Sequence, residues 1–146
     1  MWHSKPANPN RPRQQNRPSR SRDLKAEADG SLASRLRREL TARARCGTPV
    51  TYRSLAGVLP PARREASRLR DILEQLMEED AREGRPLIAA LAVDACGNGL
   101  PASWFFSKAE ILGRFAGDPR DVEAFAFHAR ERHRSIIDSR ARTVPR

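Results

Sequence analysis

The 146-residue sequence predicts a mainly α fold with a small β-hairpin: a winged helix-turn-helix core, two C-terminal helices and a disordered basic N-terminal tail. Three observations predict it. Apolar residues recur at helical spacing in blocks punctuated by proline and glycine. The blocks run in the order helix, short strand, helix, turn, helix, hairpin. Ahead of them stands a segment with almost no apolar content. The resulting divisions are a tail over 1–30, a winged helix-turn-helix domain over 31–116, and a C-terminal helix with a frayed basic end over 117–146.

The tail is rich in Pro, Asn, Gln, Ser and Arg, and Trp2 and Leu24 are its large apolar residues. It cannot bury enough surface to offset the entropy of ordering, so disorder is expected. Order is expected from Ser31, a plausible N-cap, through Leu32, Leu36 and Leu40 at i, i+4 spacing to a stop at Gly47. "PVTY" reads as a brief strand. Thr51 then caps "YRSLAGVL", a short helix ended by Pro60 and Pro61, and Pro61 suits the first turn of a third helix. That helix carries the stripe Leu69, Ile72, Leu73, Leu76 and Met77 and ends at Gly84.

Leu87–Val93 reads as a buried strand, "CGNG" as a hairpin turn, and Leu100 as the start of a return strand. A fourth helix carries Trp104, Phe105, Ile111 and Leu112. The last holds Val122, Phe125, Ile136 and Ile137 on one side.

Lys+Arg 28 against Asp+Glu 18 gives a net charge of +10, an excess that favours polyanions because each neutralised phosphate releases condensed counterions. Between Met1 and Arg22 the basic residues are Lys5, Arg11, Arg13, Arg17, Arg20 and Arg22, with no acidic one, which fits an electrostatic arm. In the third helix Arg63, Arg64, Arg68 and Arg70 precede Glu78, Glu79, Asp80 and Glu83. That order opposes the helix dipole and marks the front as a surface kept for a partner.

The longest apolar run, Leu87–Val93, is too short to span a bilayer, and no apolar stretch follows the basic start, so neither a membrane partner nor a secretory signal is expected. The expected location is cytoplasmic, in a bacterial-type cell. Cys46 and Cys96, fifty residues apart, define neither a disulfide framework nor a zinc knuckle, and are expected as free, structural thiols.

At "PVTYRSLAGVL" and "PLIAALAVDACGNGLP" the chain resembles the DNA-binding domain of alkylguanine DNA alkyltransferases and alkyltransferase-like proteins. The residues that carry the likeness are Val50, Thr51 and Tyr52; Arg63 or Arg64; Pro86; and Gly97 with Gly99. The resemblance implies a helix-turn-helix scaffold and groove contact. It does not imply alkyl transfer. The family's acceptor lies in a Pro-Cys-His-Arg segment, whereas Pro86 is followed by Leu87, Ile88 and Ala89. The His-Arg that alkyltransferase-like proteins keep is missing too.

Other chemistry finds little footing. His128 and His133 are five apart, which puts them on diverging helical faces, so no metal or other cofactor is expected. Glu78, Glu79 and Asp80 are consecutive and read as a solvated acidic face. No phosphate-cradling glycine loop or nucleophile triad is apparent, so no enzyme is expected. Trp104, Phe105 and Phe106 read as core, with a base-stacking platform as the sharper alternative. The expected function is a small non-enzymatic DNA-binding protein, a regulator or accessory factor of a plasmid, phage or other mobile element. Arg63, Arg64 and Arg68 are its expected contacts to duplex DNA, with Arg53 and Asn98 as backbone contacts. The alternatives are a protein-interaction adaptor, marked by an uncovered patch at Leu76, Phe106 or Phe127, and an RNA-binding protein.

Overall fold

Leu32, Leu36, Leu40 and Ala44 recur every four residues, and all four are buried along one side of the first helix, α1 (Pro18–Cys46). A computed structural model describes residues 18–142, with side chains from residue 30 onward. Of the tail expected over 1–30, residues 1–17 lie outside the described residues, as does the basic end at 143–146, and residues 18–30 are helical rather than disordered. The backbone is helical ahead of Ser31, which is therefore not a cap; Leu24, Lys25, Ala26, Glu27 and Ala28 are all good helix formers. Gly47 ends α1 at φ 70°. The Gly47 N–H donates to Ala44 O at 3.0 Å and the Thr48 N–H to Arg43 O at 3.0 Å, the double closure that a left-handed residue permits.

β1 (Val50–Thr51) leads directly into α2 (Tyr52–Ala56). Thr51 caps α2 as expected, its hydroxyl accepting from the Ser54 N–H at 3.2 Å. The third helix starts later than the prolines suggested. Pro61–Arg63 forms a separate 3-10 turn, Glu65 returns to extended backbone, and α3 runs Ala66–Arg82. Its stripe of Leu69, Ile72, Leu73, Leu76 and Met77 is buried as expected. Arg63 and Arg64 consequently precede the helix rather than open it.

The expected hairpin is replaced. Leu87–Val93 is buried, but Ile88–Leu91 is a 3-10 turn and only β2 (Ala92–Val93) is extended. β2 pairs parallel to β1, Val50 with Ala92 and Thr51 with Val93. Asn98 (φ 53°) and Gly99 (φ 82°) supply the left-handed backbone that "CGNG" predicted. The Asp94 N–H donates to Leu100 O at 2.9 Å, closing a loop over Asp94–Leu100. Pro101 has no N–H to extend that pairing, and no return strand forms among the described residues.

α4 (Ser103–Ile111) buries Phe105 and Phe106, which pack with Phe115 and Phe127 at ring-centroid distances of 5.0–6.4 Å. α5 (Val122–Ala141) packs across α1 and the Ile88–Leu91 turn. Val122, Phe125, Ile136 and Ile137 share one side as expected, and it is the outer one: Ala124, Phe127, His128, Glu131, Ser135 and Ser139 face inward, whereas Val122, Phe125 and Ile137 are exposed. The described part is thus mainly helical, five α-helices around one core with a two-residue parallel pair. Among the described residues no helix is long and apolar enough to cross a membrane.

Candidate nucleic-acid interface

α2 and α3 are anchored by Leu55, Leu59 and Leu69, all buried, and the chain between them is a double-proline turn. The prolines leave a local deficit. Residues 60 and 61 would be the natural N–H donors to the Gly57 carbonyl, and both lack an N–H. Arg64 compensates. Its Nε donates to Leu59 O at 3.0 Å and its Nη2 to Gly57 O at 3.3 Å. Arg64, expected as a nucleic-acid contact, is therefore also a cap on the end of α2.

The other predicted residues divide as follows. Arg53 is exposed on α2 and Arg63 is half-buried in the 3-10 turn; neither side chain has a hydrogen-bond or ion-pair partner among the described residues. Arg68 is half-buried in the first turn of α3. Asn98 is exposed on the Asp94–Leu100 loop, which leaves β2 beside β1 and α2. A groove of about 490 Å³ runs between α2 and the start of α3, with Ala56 and Leu69 in its lining and Arg53 and Arg64 at its polar edge.

Sequence reasoning missed the aromatic support of this face. Tyr52 and Trp104 stack with centroids 5.7 Å apart, and the Arg70 guanidinium lies 5.9 Å from the Trp104 ring centre. The Tyr52 hydroxyl accepts from the Ala102 N–H at 2.9 Å. Burial pushes its pKa up to about 12, against the opposing pull of that hydrogen bond. Of the aromatic run expected as core, Phe105 and Phe106 are core and Trp104 is half-exposed.

The acidic half of α3 is a solvated face only in part: Glu78 and Glu83 are exposed, whereas Asp80 is buried. Glu78 pairs with Lys108 Nζ at 2.6 Å, and Arg37 pairs with Glu79 at 3.1 Å and Asp80 at 2.8 Å. Asp80 is 1% exposed and accepts in addition from the Ile88 N–H at 3.1 Å. Desolvation pushes its carboxyl above the usual value, and Arg37, the Ile88 N–H and Arg85 act against that push.

Asp80 belongs to a wider buried set that serves the irregular segment before β2. Glu131 accepts from the Leu87 N–H at 3.1 Å, Ser135 donates to Leu87 O at 3.2 Å, and His128 Nε2 lies 2.8 Å from Ala90 O. Arg114 donates to Arg85 O at 2.8 Å. A buried segment that forms no ladder needs such partners, because an orphaned backbone group costs about 1–3 kcal/mol. This explains why α5 turns polar residues inward. The two histidines lie on diverging faces as expected: His128 is buried, and desolvation lowers its pKa, while His133 is exposed.

Cys46 and Cys96 are free, as expected, but both are exposed, so neither is a structural thiol of the core. Leu76, Phe106 and Phe127, where an adaptor patch was to be sought, are buried. No family model, curated protein or solved structure matches the chain.

Proposed function

We propose that this protein binds duplex DNA through α2, the Pro61–Arg63 turn and the start of α3, working as a helix-turn-helix. The Asp94–Leu100 loop takes the place of a wing. One observation carries the reading: carboxylates of α3 at Glu74, Glu78, Glu79 and Asp80 are paired within the chain, whereas Arg53 on α2 and Arg63 in the turn before α3 have no partner among the described residues. An unneutralised basic edge beside a helix start attracts phosphate. The net charge of +10 supports the same partner.

In this reading Arg53 and Arg63 meet the backbone, Arg68 lies on the helix that approaches the groove, and Asn98 reaches a flanking phosphate. Arg64 holds the turn. Residues 1–22 add sequence-independent attraction through Lys5, Arg11, Arg13, Arg17, Arg20 and Arg22. The protein acts without catalysis, as a regulator or accessory factor of a mobile element such as a plasmid or phage.

Fluorescence anisotropy with duplex DNA, single-stranded DNA and duplex RNA of equal length tests this. Tightest binding to duplex DNA at low salt is expected. Absence of binding to any DNA duplex at low salt sinks the proposal, and a clear preference for RNA transfers the site to the other polyanion.

A further inference from the structure

The exposed large apolar side chains of the described residues lie at the end of α4 and, for the most part, on α5. They are Ile111 (77% exposed), Val122 (80%), Phe125 (50%) and Ile137 (55%). On α5, Val122, Phe125, Ala126, Ala129 and Ile137 are exposed, with half-buried Ile136 among them. At 3.6 residues per turn these positions share one face, opposite the buried Ala124, Phe127 and Glu131. The stripe from Val122 to Ile137 is about 22 Å long, four turns of helix. α5 is therefore a helix with two working faces. Its inner one satisfies backbone, and its outer one is mainly apolar, with the exposed His133 on the same face between Ala129 and Ile137. Scattered exposed apolar residues need no explanation, but their recurrence on one face over four turns does.

Charge selects the occupant. Arg130 and Arg132 border the stripe on opposite sides, exposed and half-buried respectively, and neither has a carboxylate within ion-pair distance among the described residues. Arg134, nearby, lies 3.7 Å from Glu131. A second copy of the chain fits poorly. A two-fold pairing about the middle of the stripe sets Arg130 against the other copy's Arg130, a like-charge contact that disfavours association. The chain's own residues 1–17 are also unsuited, carrying Lys5, Arg11, Arg13 and Arg17 and no acid. Nucleic acid gains nothing from Val122 or Phe125.

We propose that the outer face of α5 docks an acidic amphipathic helix of a partner protein. The partner's apolar residues lie along Val122, Phe125, Ala129 and Ile137, and its flanking Asp or Glu residues meet Arg130 and Arg132. The surface is separate from the α2–α3 front, so the proposal does not rest on DNA binding.

The test uses the full chain and two labelled synthetic helical peptides. Both carry leucines at i, i+3, i+4 and i+7; one has glutamates at the flanking positions and the other lysines. Saturable binding of the acidic peptide alone is expected. Phe125→Ala and Ile137→Ala each weaken it by about tenfold, in proportion to the apolar area lost. The Arg130→Ala/Arg132→Ala variant reduces its salt dependence. These positions lie on the surface, so the variants keep the fold, and the thermal midpoint checks this. Equal binding of both peptides, or none of the acidic one, overturns the proposal. So does a dimer in light scattering that Phe125→Ala dissolves, which makes the occupant a second copy. Binding to phosphatidylglycerol vesicles that Phe125→Ala abolishes overturns it in favour of a lipid surface.

Discussion

Arg64 donates from Nε to the Leu59 carbonyl at 3.0 Å, folding back across Pro60 and Pro61 to reach the end of α2. Its Nη2 also reaches Gly57 O at 3.3 Å, in place of the N–H groups that the two prolines lack. Arg64 and Arg63 are neighbours with different duties. Replacing Arg64 by Ala lowers stability by about 1–2 kcal/mol, the worth of a charge-assisted hydrogen bond at a partly exposed site. Arg63→Ala leaves stability within about 0.5 kcal/mol. Urea denaturation of the two variants checks the contrast; equal losses would contradict it.

Asp80 holds α1, α3 and the Ile88–Leu91 turn together through Arg37 and the Ile88 N–H. Asp80→Ala removes one partner of a buried pair and leaves Arg37 and Arg85 beside an empty site, which costs about 3–5 kcal/mol. Glu78→Ala breaks a pair whose carboxylate is exposed, that with Lys108, and costs at most about 1 kcal/mol. If the two variants unfold at similar urea concentrations, Asp80 does not hold the core.

The buried imidazole of His128 makes stability depend on pH. Its folded-state pKa lies below the ordinary 6.5, so below pH 6.5 the unfolded chain takes up a proton that the folded chain resists. Stability therefore rises with pH up to about 6.5 and is lost as pH falls from there through the folded pKa. Of the nearby groups, Arg132 reinforces the depression, and the Ala90 carbonyl opposes it by accepting a hydrogen bond from Nε2. His128→Gln flattens this part of the profile. A wild-type profile that is flat there, or one that His128→Gln leaves unchanged, removes His128 from the account.

Tyr52 is the chain's single tyrosine, so its ionisation can be followed alone by ultraviolet absorbance. Burial holds the phenol protonated up to about pH 12. Ionisation near its ordinary pKa of 10.0 would mean that Tyr52 is not packed between Ala102 and Trp104.

Much of the helical core was legible in the sequence because its signals are local. Leu32, Leu36 and Leu40 on α1 and the Leu69–Met77 stripe on α3 repeat at helical spacing, and Thr51 and Gly47 act as caps within a few residues of their partners. The misreadings came where distant groups decide. Leu87–Val93 has a strand's composition, but Glu131, Ser135 and His128, some forty residues further on, hold the backbone in a 3-10 turn. Those polar residues occupy the inner face of α5, so the apolar side that periodicity found, with Val122 and Phe125, is the outer one. The arginine front was visible as a charge run. That Arg64 is already engaged and Arg53 is not follows only from the geometry of the double-proline turn.

The measurement closest to the central claim is the salt dependence of duplex binding for the wild type and for Arg53→Ala/Arg63→Ala. Neither side chain has a partner among the described residues, so the variant keeps its thermal midpoint. Each lost phosphate contact lowers the slope of log K against log salt by about 0.9, so a reduction of about 2 is predicted. An unchanged slope, with duplex binding intact, would contradict the account and move the interface away from the α2–α3 front.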